Sequence, residues 1–218
     1  MVKTVVCLGD SNTHGFNAEN GGRFLRTERW TGILQEKLGE DFYIVEEGLN
    51  GRTCVIDDPI TEGLSAREVI SPILLTHEPV DLLVVMLGTN DVKERFRMRP
   101  YNIKEGMKSL LSKAKSTVGA WREDKPKILL VCPPPILDDY MDRIYGEEMG
   151  AGCADKSKAL AGLYEALAKE VGCFYLDGGS VAGVSMDALC GMHLSKTSHQ
   201  NLGKALAGKI EEIFKGED

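Results

Sequence analysis

Four short stretches of the chain place polar residues of catalytic type directly after apolar runs or before a helix. The first is Gly9-Asp10-Ser11-Asn12-Thr13-His14-Gly15. A nucleophilic serine needs its hydroxyl on rigid backbone beside free N–H donors, and a glycine-flanked turn after a strand supplies both. The same residue types also build ordinary turns. The second stretch is Gly48-Leu49-Asn50-Gly51-Arg52-Thr53, where Gly51 lets a backbone N–H face a crevice with no side chain in the way. The third is Leu87-Gly88-Thr89-Asn90-Asp91. The Asn90 amide can donate to a developing oxyanion or cap a helix. The fourth is Cys190-Gly191-Met192-His193-Leu194-Ser195, with Ser195 as the N-cap of a final helix and His193 on the loop before it. His193 is either a general base or an ordinary surface imidazole.

Such residues meet only if the fold brings them to one edge. Five apolar runs recur along the chain: Thr4 to Leu8, Tyr43 to Val45, Leu82 to Leu87, Ile128 to Cys132 and Cys173 to Leu176. Continuous rather than alternating apolar runs suit strands buried on both faces, hence a parallel sheet covered by helices. Between them, Trp30, Ile33, Leu34 and Leu38 share a helical face. So do Ile103, Met107, Leu110, Leu111 and Ala114; Leu160, Leu163, Tyr164 and Leu167; and Leu202, Leu206, Ile210 and Ile213. This alternation predicts an α/β fold, a single three-layer αβα domain over residues 1–218 with a five-stranded parallel, flavodoxin-like sheet. Ligands of such folds sit at the carboxyl ends of the strands. Pro133 to Gly152 is the longest stretch without a pattern and is the expected lid or oligomer-contact loop.

Composition narrows the function further. The chain has 218 residues, with 33 acidic and 26 basic side chains and a formal charge of −7. It has no basic cluster, so a nucleic-acid partner is not expected. No apolar run reaches a membrane-spanning length, and the first one is too short for a secretory signal, so a cytoplasmic location is expected. The six cysteines are dispersed without C-x-x-C, and the four histidines lack H-E-x-x-H spacing. Neither disulfides, nor a metal, nor a cofactor is expected. The first loop also lacks the Gly-rich pattern that cradles a phosphate in nucleotide or flavin binders.

Taken together, the four stretches closely resemble the SGNH (GDSL) hydrolase family. Its blocks carry Ser in G-D-S, a Gly after the second strand, Asn in G-x-N-D and His in D-x-x-H; here these are Ser11, Gly51, Asn90 and His193. Arg29-Trp30-Thr31-Gly32, Glu46-Glu47-Gly48-Leu49, Arg52-Thr53, Ile56-Asp57-Asp58-Pro59 and Met86 to Asp91 resemble the bacterial arylesterase and acyltransferase branch. That resemblance implies a serine esterase for short-chain, acetyl-type esters of aryl alcohols or sugars, with acyl transfer to alcohols in some members. Ser11 would be the nucleophile and His193 the base. The Ser11 and Gly51 N–H groups and the Asn90 amide would bind the oxyanion. A lysophospholipase, a thioesterase or an impaired binding module is the alternative. High-order oligomers occur in the branch, which points to contacts after Gly51 and after Pro133.

One position departs from the pattern. The family's acid stands three residues before the histidine, and here that residue is Cys190. Three readings follow: Asp187 reaches His193 instead, His193 works in a dyad oriented by a backbone carbonyl, or catalysis is impaired. Among the remaining residues, Trp30 either lines an acyl pocket or anchors its helix. Asp57 and Asp58 are rim acceptors or turn residues, and Arg52 is a candidate partner for one of them. His14 either contacts substrate or is exposed, while His77 and His199 are expected on helix surfaces.

Overall fold

A computed structural model describes residues 1–216. Five parallel strands, β1 (Lys3–Gly9), β2 (Phe42–Gly48), β3 (Leu82–Met86), β4 (Ile128–Cys132) and β5 (Phe174–Asp177), form one sheet in the order β2-β1-β3-β4-β5. All five expected runs are strands. Their alternate residues feed two separate cores. Val6, Leu8, Leu83, Val85 and Leu130 face one side, and Val5, Cys7, Val84, Leu129 and Val131 face the other. Burial on both faces is why the runs are continuously apolar.

Two helices cover the second face: α1 (Trp30–Leu38) and α5 (Lys196–Lys215), through the expected stripes Trp30, Leu34, Leu38 and Leu202, Leu206, Ile210. Three cover the first face: α2 (Ala66–Thr76), α3 (Pro100–Lys115) and α4 (Leu160–Val171). Helix α2 carries no expected stripe, because Pro72 interrupts its pattern. Pro72 has no N–H for the Glu68 carbonyl, and Lys113 Nζ reaches that carbonyl at 3.4 Å instead. Ala66, Ile70 and Leu74 are nevertheless fully buried at four-residue spacing.

The order 2-1-3-4-5 reverses direction at β1, between β2 and β3, and this switch point opens a crevice at the strands' carboxyl ends. Registers Gly9↔Gly48 and Gly9↔Met86 bring the ends of β1, β2 and β3 level there. A Cβ at Gly48 would stand 2.1 Å from the His14 nitrogen, so only glycine lets the turn after β1 lie against the end of β2. Pro133 to Gly152 is more ordered than its sequence suggests. It holds a 3₁₀ turn at Tyr140–Asp142 and a short helix at Gly146–Met149, and it buries Ile136, Tyr140 and Met149. No helix among the described residues is long and apolar enough to cross a membrane.

Candidate active site

Ser11 opens a one-turn helix, Ser11–His14, directly beyond β1. Asp10 caps it by accepting the Asn12 N–H at 2.9 Å, and Gly15 closes it in the left-handed conformation. Ser11 is buried, and its backbone N–H has no partner among the described residues. Its hydroxyl oxygen lies 3.0 Å from His193 Nε2, joining residues 182 positions apart.

The other nitrogen of His193 faces a sulfur. Nδ1 lies 3.3 Å from Cys190 Sγ. Asp187 is spent elsewhere: its N–H donates to the His193 carbonyl at 2.6 Å, and its Oδ1 accepts the Leu189 N–H at 2.7 Å. The structure therefore puts neither the Asp187 carboxylate nor a backbone carbonyl at Nδ1. It puts the thiol there, where the resemblance implies a carboxylate. Cys190 is fully buried, and burial raises its pKa, with backbone hydrogen bonds from Met192 and His193 working the other way. The thiol is neutral near pH 7.

Asn12, which sequence reasoning passed over, holds the loop of the expected base, His193, in place. Its Nδ2 donates to the Met192 carbonyl at 3.2 Å and its Oδ1 accepts the Leu194 N–H at 2.8 Å, so it grips the chain on both sides of His193. Trp30 Nε1 in turn donates to the Asn12 carbonyl at 3.1 Å, from a fully buried ring; Trp30 anchors its helix and is not among the residues bordering the cavity beside His193. His199 is also fully buried rather than on the surface. Its Nδ1 accepts the Trp30 N–H at 3.3 Å, and desolvation lowers its pKa to about 3. His77 is half-buried and pairs with Glu47 Oε1 at 2.9 Å. The Phe16 ring lies 4.6 Å from the His193 ring, centroid to centroid. Burial under Phe16 and Tyr145 is the main cause that lowers the His193 pKa to about 4, with Glu148 and Asp187 opposing and Lys93 assisting.

Across from His193 lie the donors. Gly51 has φ +80°, a left-handed conformation that suits glycine, and its N–H has no partner among the described residues. Asn90 Nδ2 donates to the Arg52 carbonyl at 3.2 Å. Arg52 does not pair with Asp57 or Asp58: its Nη1 donates to the carbonyls of Gly9, at 3.2 Å, and Glu47. Asp58 instead pairs with Arg95 at 2.6 Å. Asp91 Oδ1 accepts the Cys54 N–H at 2.9 Å, which ties the Gly51 loop to the end of β3. Asp10 and Asp91 are buried near each other, and desolvation raises their pKa values to about 7 and about 6.

A cavity of about 110 Å³ opens between the two sides. Gly51, Asn90 and His193 border it, with Phe16, Tyr145, Met149 and Met192 as apolar walls and Lys93 and Glu148 as a charged one. Its volume is roughly that of four liquid waters. Tyr145, Glu148 and Met149 come from the Pro133 to Gly152 segment, so that segment borders the cavity. A larger groove of about 530 Å³, lined by Lys3, Asp81 and Arg122, lies at the opposite ends of the strands, away from Ser11. No cluster suited to a metal ion occurs among the described residues.

A profile of the GDSL-like Lipase/Acylhydrolase family matches residues 7–200. Among solved structures, the native aryl esterase of M. smegmatis superposes with a TM-score of 0.89 at 36% identity, covering 97% of this chain and 99% of that one. Est24, a carbohydrate acetylesterase from Sinorhizobium meliloti, superposes with a TM-score of 0.86 at 36% identity, with coverages of 97% and 99%. No curated protein matches the chain. With the family profile spanning most of the sequence and the esterase folds superposing over nearly all of it, the chain belongs to the GDSL-like lipase/acylhydrolase family and is a carboxylic ester hydrolase of the SGNH type.

Proposed function

We propose that the chain, acting as one domain, hydrolyses short-chain, acetyl-type esters of aryl alcohols or sugars through an acyl-enzyme on Ser11. The observation that carries this reading is the 3.0 Å contact between Ser11 Oγ and His193 Nε2 beside unpaired N–H donors. For Nε2 to accept the serine proton, the ring must carry its own proton on Nδ1 and point it at Cys190 Sγ, a weak acceptor. Ser11 Oγ attacks the ester carbon as Nε2 takes its proton. The Ser11 and Gly51 N–H groups and the Asn90 amide receive the oxyanion, each donor contributing about 3 kcal/mol. The imidazolium then protonates the leaving alcohol, and a water deprotonated by Nε2 releases the acid.

The small cavity favours acetyl-sized groups over the chains of lysophospholipids. Its four apolar side chains also favour an alcohol over water as acyl acceptor, which is the basis for acyl transfer as a second outcome. The neutral thiol at Nδ1 favours a slow enzyme. Six unbonded thiols suit a reducing cytoplasm, and Ile60, 75% exposed in the segment after Gly51, is a contact for self-association. Turnover of p-nitrophenyl acetate and labelling by a p-nitrophenyl phosphonate test the reading. Ser11→Ala should abolish both. Labelling at any other residue, or undiminished turnover by Ser11→Ala, would overturn it.

A further inference from the structure

Lys93 is buried, with its ammonium inside the cavity wall three residues beyond Asn90. Among the described residues its Nζ has one partner, Glu148 Oε1 at 2.9 Å, although an ammonium carries three donors. Glu148 is exposed at the cavity's mouth, but its backbone is fastened. Arg95 Nη1 donates to the Glu148 carbonyl at 3.1 Å, and Glu94 Oε2 accepts the Ala151 N–H at 2.8 Å. Both members of the pair thus line the same cavity as His193, close enough for its ring to feel the charge of each.

The pair cancels its own charge but leaves hydrogen-bonding capacity unused on both members. An anionic substrate group would meet the Glu148 carboxylate beside the ammonium, and an alkyl group would strip water from both without replacing it. A hydroxyl both accepts from an ammonium and donates to a carboxylate. His193 must protonate the leaving oxygen, so the alcohol part of an ester lies next to the base, within the cavity that the pair also lines.

We propose that Lys93 and Glu148 form a subsite for the alcohol part of the substrate and select alcohols carrying free hydroxyls beside the ester, as in partly acylated sugars or polyols. The subsite rests on the esterase reading above and narrows it. Glycerol monoacetate and n-propyl acetate share a three-carbon alcohol and differ by two hydroxyls, so the ratio of their kcat/KM values reads the subsite alone. The wild-type ratio should favour glycerol monoacetate about tenfold. Lys93→Met and Glu148→Gln should each reduce that ratio at least fivefold. Glu148 is exposed, so its variant keeps the fold intact, and phosphonate labelling of Ser11 checks the Lys93 variant. A wild type that hydrolyses propyl acetate with a ratio near one, or a ratio unchanged in both variants, overturns the subsite alone. A wild type that hydrolyses neither ester overturns the esterase reading and the subsite with it.

Discussion

The two sides of Ser11 are built from opposite materials. On the side of the proposed oxyanion donors, Asn90, Arg52 and Asp91 bind the carbonyls and N–H groups of the turns after β1 and β2, so the Gly51 loop is cross-tied by buried polar side chains. On the side of the proposed base, His193 sits on a loop against Phe16 and Tyr145 with a thiol at its second nitrogen. The first arrangement fixes dipoles before any charge develops, which is what an oxyanion site requires. The second leaves the imidazole neutral and available to accept a proton, but gives the imidazolium little to lean on. In the proposed mechanism the site is therefore well prepared where negative charge would form and poorly prepared where positive charge would form.

Removing a donor should therefore do more damage than disturbing the base. Asn90→Ala is expected to lower kcat by about 10²- to 10³-fold on p-nitrophenyl acetate with little change in KM. A loss below tenfold in steady-state kinetics would mean that Gly51 and Ser11 hold the oxyanion alone. Asn12→Ala tests the base side. It leaves the Met192 carbonyl and Leu194 N–H unpaired, and should lower kcat about tenfold and stability by about 2 kcal/mol in urea denaturation. Unchanged kcat with lowered stability would show that His193 is held by its own loop.

The smallest effect on turnover concerns the buried carboxyls beside the proposed oxyanion donors. The pKa of Asp91 is raised to about 6 in the folded chain, above its unfolded value, so the folded state keeps a proton that the unfolded state has lost. That contribution, about 3 kcal/mol, is complete below pH 4 and disappears as pH rises through about 6. Asp91→Asn should flatten the pH dependence of stability across this window. A slope equal to that of the wild type would assign it to other groups, Asp10 first among them, since desolvation raises its pKa to about 7.

The sequence made the oxyanion side more legible than the base side for a physical reason. Ser11, Gly51 and Asn90 each follow a buried apolar strand, and parallel strands end at one edge, so three local patterns determine where those residues meet. Helix α2 was hidden because Pro72 breaks the pattern that Ala66, Ile70 and Leu74 carry. His199 reads as a polar residue at the start of an amphipathic helix, yet Trp30 and the core close over it. What faces Nδ1 depends on how the loop from Met186 to Leu194 closes, and the grip of Asn12 on it spans about 180 residues. No local spacing encodes that grip or the reach of Glu148 to Lys93.

The thiol at Nδ1 is the feature on which the account of the base side stands, and the pH profile of kcat for Cys190→Asp probes it directly. A carboxylate there would hold the Nδ1 proton and favour the imidazolium. The wild-type acidic limb is expected near pH 4, where burial sets the His193 pKa. In Cys190→Asp the limb should move up by one unit or more and kcat at pH 8 should rise at least tenfold, while Asp187→Asn should change neither. An unmoved limb with unchanged kcat in Cys190→Asp, or a collapse of activity in Asp187→Asn, would contradict the account and return the acid's role to Asp187.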